Sequence, residues 1–458
     1  MSIVYGDYTP PKKIVKSTDL TIGIFFDGTN NNMNNSNAKE YYNKRNRGKK
    51  LTDKEAVSAS AYDRNGRLKE SSSYHNDWSN VARLYDVYPV ELAVYVDGVG
   101  TETEKGDAVL GAGFGTGNTG IIGKVEEGCE KLANTILRQN QKNKVIPILY
   151  LDVFGFSRGA AAARVFLDEI SKKPNLGSVN FKNKAGYLGY YLAKKNIKVG
   201  SVQVRFLGLF DTVSSYSKYA TALPNFDNDA TEIPLHTLSK AKSVMHFTAE
   251  NEHRNNFSLT ETRVGKTREF PGVHSDVGGS YNDGIEVVKI IEKDFMDKIN
   301  ELVTKLINES WYLEKQLEIS MFSPNELKGT RKLKKTYSYI PLHLMSEWAI
   351  SAQKVPFNNA KLEKTKYSIT GDALLMRVKK RLREYVLHNG KPYKFAWYGA
   401  IHEKYKGVKE GDKLLAAYKQ EIQEQKDLRI LRNEYLHWSA DNDSIGMEPT
   451  KDRKRKKF

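Results

Sequence analysis

Ser157 stands at the centre of Gly155-Phe156-Ser157-Arg158-Gly159, and the sequence on both sides of it suits a nucleophile. Val145 to Phe154 is a near-continuous apolar run, interrupted only by Pro147 and Asp152. Such a run is expected of a strand buried on both faces of a parallel sheet. Behind the serine lies an alanine-rich segment of high helix propensity. A strand, G-x-S-x-G and a helix together lift the serine Oγ clear of the sheet on a tight turn. The turn presses the chain against itself two residues either side, where only glycine fits. The helix that follows aims its first N–H groups at the place where negative charge develops.

A serine nucleophile needs a base, and the base needs an acid to hold its tautomer. Asp211 in GLFDTV and His274 in GVHSD follow Ser157 in the chain order Ser, Asp, His, each at an expected strand end. A short carboxylate there is costly without a partner, and a charged histidine would supply one. Asp276 is the alternative acid and His437, in LHWSADND, the alternative base. His246 and His253 fall in Ser243–Phe257, whose spacing reads as helical, and His343 falls on an apolar helical face that reads as core. The backbone N–H of Arg158 is the expected first donor to an oxyanion, and that of Gly28 the second. The histidines, acids and Cys129 show no zinc-ligand spacing, so no zinc and no cofactor is expected, while the acidic segment at Asp441 and Asp443 leaves a calcium site open.

Elements able to position these groups follow one another along the chain. Leu20–Phe26 reads as the first buried strand, followed by a long polar insertion at about 28–75 that holds an asparagine cluster. Ser79–Tyr88 reads as a capped helix, Val90–Val96 as a strand and Val125–Gln139 as a helix. The glycine-rich run Gly111–Gly123 misses the register of a dinucleotide loop and reads as a wall of the site's mouth. Ser201–Phe210 and Thr267–Pro271 are further strands. Beyond them, Ile291, Phe295, Ile299, Leu302 and Leu306 step like one face of a long amphipathic helix. The fold class is α/β, with a mostly parallel central sheet in residues 1–284. Residues 285–458 are expected to form a helical region that packs on or caps the core and ends in a basic tail.

Composition narrows the setting. A hydrophobic content of 39% in 458 residues is enough for a real core, and no apolar run is long enough to span a membrane as a helix. The N-terminal stretch has no apolar segment of a Sec signal, and a single cysteine excludes an internal disulfide. The net charge of +17 favours polyanionic partners, either anionic lipid or nucleic acid. No nucleic-acid-binding motif accompanies it, so no specific nucleic acid is expected. Other readings are a hydrolase of soluble esters, and a catalytically silent module that binds lipid or nucleic acid.

Six segments in order, IGIFFDGTNNN, YVDGVGT, FGFSRGAAAAR, GLFDTVSS, AENEHRNNF and PGVHSDVGGSY, span about residues 20–281. Together they resemble the bacterial type VI secretion phospholipase effectors of the first lipase-effector family. The resemblance implies an α/β-hydrolase fold and phospholipase A-type cleavage of membrane glycerophospholipids. It implies a triad at Ser157, Asp211 and His274, the residues already singled out. It further implies a carrier in the secretion machine (a spike or tube protein), an immunity protein, synthesis in the bacterial cytoplasm and delivery into neighbouring cells.

Overall fold

The computed structural model describes residues 3–5, 18–63, 72–101, 120–139, 145–172, 181–214, 237–319, 325–444 and 446–458. Its strands in chain order are β1 (Ile3–Tyr5), β2 (Leu20–Phe26), β3 (Ala93–Val96), β4 (Val145–Phe156), β5 (Lys198–Phe210), β6 (Ala241–Ala249), β7 (Lys266–Phe270), β8 (Gly284–Lys293), β9 (Leu317–Ile319) and β10 (Glu326–Leu333). The central sheet runs β3-β2-β4-β5-β6-β7, with every neighbouring pair parallel. β1 joins antiparallel to the start of β5, through Tyr5 opposite Val199 and Ile3 opposite Val202, where β6 has not yet begun. The chain steps from β2 to β3 on one side and returns to β4 on the other. The crevice at the carboxyl ends of β2 and β4 is therefore a topological switch point, where open α/β sheets hold their ligands.

Period-two alternation divides the strands between two apolar layers. Ile22, Ile24, Leu151, Val153 and Leu207 face the helices Ile121–Gln139, Arg158–Glu169 and Phe181–Lys194. Cys129 is buried in that layer. Phe25, Phe154, Phe206 and Phe247 face the other way, towards Val81 and Leu84 of helix Asn80–Asp86 and Leu344 and Met345 of helix Tyr339–Gln353. The chain after β7 thus completes the second face of the same core.

Several elements differ from the sequence reading. Ser243–Phe257 does not form a helix: its first part is β6, paired on both sides, and the remainder is a turn. Val244, Met245, Phe247 and Ala249 are all buried, because a strand with helices on both faces loses its polar alternation. The expected long helix after Ile285 is two elements, β8 and the helix Met296–Asn308. Ile291 packs from the strand, Phe295 is 83% exposed at the helix cap, and only Ile299, Leu302 and Leu306 form the buried helical face. β8, β10 and β9 make a small antiparallel sheet in a region expected to be helical. The polar insertion contains the helices Met33–Ser36, Ala38–Asn46 and Asp53–Ala59. Of the run Gly111–Gly123, residues 111–119 lie outside the described residues, and Ile121 already starts a helix.

Candidate active site

Ser157 follows the last residue of β4 with φ 56° and ψ −128°, a left-handed φ that a non-glycine residue adopts only when its surroundings impose it. The surroundings do so. Its N–H donates to the Phe210 carbonyl at 3.0 Å, and its own carbonyl accepts from Ala160 at 3.0 Å. A Cβ on Gly155 would lie 2.5 Å from the Gly159 carbonyl oxygen, and one on Gly159 would lie 2.1 Å from that of Asp27. Both glycines are required by close approach: the first to the turn itself, the second to the end of β2. Ser157 faces a cavity of about 730 Å³ and begins the helix Arg158–Glu169.

Asp211 directly follows β5, with φ 43° and no exposure. Its N–H donates to the Phe247 carbonyl at 2.7 Å, and its Oδ1 accepts from Ala249 N–H at 2.9 Å. Its Oδ2 lies 2.5 Å from His274 Nδ1. Because an ionised carboxylate only accepts, the imidazole carries its proton on Nδ1, which leaves Nε2 as the basic nitrogen. His274 opens a short helix after β7, donates its backbone N–H to Glu252 Oε2 at 3.1 Å, and sits between the rings of Phe156 and Phe257. It lines the same cavity as Ser157.

The C-terminal tail supplies a further member that sequence reasoning missed. Arg455 donates from Nη1 to Asp211 Oδ1 at 2.6 Å and from Nη2 to Oδ2 at 2.9 Å, with its side chain 3% exposed. The tail is held there by backbone bonds to 255–261: Leu259 N–H to the Lys456 carbonyl and Phe458 N–H to the Leu259 carbonyl, both at 2.9 Å. Burial alone would raise the Asp211 carboxyl, but Arg455 and His274 hold it well below the usual carboxylate range. Burial likewise moves His274, and with the charges of Arg254 and Arg455 it outweighs Asp211 and lowers the imidazole below its ordinary value. The ring is therefore neutral at neutral pH, the form a base requires.

The two alternatives pair with each other. His437 Nδ1 lies 2.7 Å from Asp276 Oδ1, and Asp276 Oδ2 accepts from the N–H groups of Val273 and His437. This second Asp–His pair braces the loop carrying His274, and His437 stacks on Tyr281 at the cavity wall. His246 lies in β6 against Thr212, pushed down to about 3 by burial and by the Arg164 charge. His343 is buried against the Tyr367 carbonyl and pushed down to about 4 by burial. His253 bonds the Asn251 carbonyl through Nδ1. Glu252, also missed, accepts from the backbone of His274 and from Arg254, so the AENEHRNNF motif props up His274.

Gly28 is placed differently from expectation. Its N–H donates to its neighbour Asp27 Oδ1 at 2.7 Å, and the next residue, Thr29, lines the cavity instead. Asp27 is itself held by the Tyr95 hydroxyl, and burial raises its pKa to about 6. No group of three or more potential metal ligands occurs among the described residues.

The family model described as the type VI secretion system phospholipase effector Tle1-like catalytic domain matches residues 182–297, which include Asp211, Glu252 and His274 but not Ser157. Among solved structures, a Tle1 effector bound to the VgrG spike of the type VI secretion system aligns over 99% of this chain and 96% of its own, with a TM-score of 0.60 and 20% identity. An uncharacterized protein from Pseudomonas aeruginosa aligns over 91% of this chain and 60% of its own, with a TM-score of 0.40 and 17% identity. No curated protein matches. The chain thus resembles the Tle1-like phospholipase effectors of type VI secretion, in sequence over 182–297 and in fold along its whole length.

Proposed function

We propose that this chain is a serine esterase of the phospholipase A type that acts on membrane glycerophospholipids as an antibacterial type VI secretion effector. One observation carries the reading: a serine held at left-handed φ on a strand–helix elbow faces the same cavity as a buried, neutral His274 braced by Asp211. In the reaction Ser157 Oγ attacks the acyl carbonyl while His274 Nε2 takes its proton. Asp211 orients the ring and stabilises the imidazolium, which then protonates the leaving alcohol. Water activated by the same histidine releases the fatty acid. The Arg158 N–H, at the helix start, is one oxyanion donor. The Thr29 N–H, rather than the occupied Gly28 N–H, is the second, and each such donor contributes about 10²–10³ in rate.

Ile285 and Val287 favour a lipid over a soluble ester. They line the cavity from β8 and are 70% and 49% exposed, an apolar rim at the mouth of a hydrolytic site. The likeness to an effector structurally characterised on its spike supports a spike protein as carrier, and an effector toxic to its own lineage requires an immunity protein. The test is hydrolysis of mixed phospholipid vesicles by the purified chain and its Ser157→Ala variant, with fatty acid and lysolipid quantified. Release should vanish in the variant while its thermal melt stays close to that of the parent. A fluorophosphonate should label Ser157 alone, and undiminished turnover by Ser157→Ala would end the hydrolase reading.

A further inference from the structure

Three guanidinium groups reach the catalytic centre, and two of them have a carboxylate. Arg455 is held on Asp211, and Arg254 places Nη2 and Nε on Glu252 at 2.7 and 3.0 Å. Arg158 is the exception. It is more than nine-tenths buried and lines the cavity. Its Nε donates to Thr29 Oγ1 at 2.8 Å, which fixes the plane of the fork. Its Nη1 has no hydrogen-bond partner, and no acidic side chain among the described residues pairs with it. Burial lowers its pKa only to about 10, so it stays charged at neutral pH. A buried cation without a counter-ion is costly, and such a cost persists where a ligand removes it.

We propose that the Arg158 side chain is the subsite for the substrate's phosphodiester, a role separate from that of its backbone N–H at the oxyanion. The inference rests on the phospholipase reading and specifies which part of the lipid the site recognises. A planar guanidinium with one edge anchored and the other free suits two oxygens of a single phosphate. In a glycerophospholipid the phosphate lies only a few bonds from the scissile ester. A cation on the residue following the nucleophile is therefore correctly placed when the acyl carbonyl sits at Ser157. Such a subsite would select phospholipids over neutral glycerides, because a diacylglycerol would leave the buried charge unpaired.

The experiment compares the whole protein with Arg158→Gln and Arg158→Lys on a phospholipid and on the matching diacylglycerol in the same neutral detergent micelles. Inorganic phosphate and a glycerophosphodiester serve as inhibitors. Losing one charge-assisted fork should lower kcat/KM on phospholipid by about 10–100-fold more than on diacylglycerol, and the Lys variant should regain part of the difference. Both anions should inhibit wild-type cleavage of phospholipid competitively and inhibit Arg158→Gln at least tenfold less. Equal losses on the two lipids, or wild-type cleavage that neither anion inhibits, would overturn the subsite, and the inhibitor arm needs no variant to fold. A wild-type enzyme that cleaves diacylglycerol but no phospholipid would instead sink the phospholipase reading.

Discussion

At Asp211 one carboxylate serves two donors, the neutral His274 ring on one oxygen and the Arg455 fork across both. The arrangement locks the acid's orientation but withholds part of its charge from the imidazole. With burial it keeps His274 below its ordinary value of 6.5. A base that must be neutral loses activity as pH falls through its pKa. The acid limb of kcat/KM should therefore lie below pH 6.5. Arg455→Met removes a charge that lowers the imidazole, so the limb should move to higher pH, and turnover should fall by about tenfold or more as the carboxylate loses its anchor. A purely structural arginine would lower the melting temperature and leave the limb in place, so the pH profile decides. Ser157, Asp211 and His274 were legible in the sequence because each follows a strand and the three come in a fixed order. Arg455 was not: in Lys451-Asp452-Arg453-Lys454-Arg455-Lys456-Lys457 no local signal separates a buried arginine from its solvated neighbours. Only the long-range contact with β5 distinguishes it. Asp276 and His437, the alternative acid and base, are paired with each other in the structure.

The elbow depends on where elements approach, and glycine marks those places. Gly159→Ala would set a methyl 2.1 Å from the Asp27 carbonyl and 2.4 Å from that of Phe26, so the helix must withdraw from the end of β2. Overpacking of this kind costs about 1–3 kcal/mol. The same shift displaces the Arg158 N–H and Thr29 from each other. A denaturant titration should show lowered stability, and ester hydrolysis should fall by far more than the stability loss explains. Wild-type turnover in Gly159→Ala would mean that the turn tolerates withdrawal. These glycines could be read from the motif, because a strand–turn–helix of this tightness has few solutions. β6 and β8 could not be read in the same way. β6 is buried on both faces, so its apolar residues fit a helical template as well as a strand. At β8 an apolar residue of the strand, Ile291, falls in step with the face of the next helix across a junction that no proline or glycine marks. Periodicity reports which residues are buried, and it separates strand from helix only when one face meets water.

Across the whole molecule the +17 charge divides into two populations, and the tail shows the division most clearly. Arg453 and Arg455 turn inward, to Glu292 and Asp211, and Lys457 reaches Glu269. Lys451, Lys454 and Lys456 are exposed. From Lys454 to Lys457 the alternation follows from the extended backbone with which the tail lies along 259–261, since neighbouring residues on an extended chain face opposite ways, while Lys451 is exposed on the turn before it. No described helix is long and apolar enough to cross a membrane; on the proposed phospholipase reading, the apolar rim and the exposed cations are the surfaces offered to a bilayer. Each exposed cation near an anionic surface contributes on the order of 1 kcal/mol, within about a Debye length. Replacing Lys451, Lys454 and Lys456 by glutamine in a Ser157→Ala background should therefore weaken partitioning onto phosphatidylglycerol vesicles by up to about 100-fold. Co-sedimentation measures this, with neutral vesicles and high salt as controls. The same three changes in the active protein should raise the apparent KM on vesicles while leaving the pH profile where it is, because none of the three touches the catalytic groups. Arg455→Met should do the opposite, shifting the profile with little effect on sedimentation. If the triple variant binds anionic vesicles as tightly as its parent at low salt, the tail's outward charge has no part in docking. Attraction would then have to come from basic residues elsewhere on the surface, while the inward half of the tail keeps its place at Asp211.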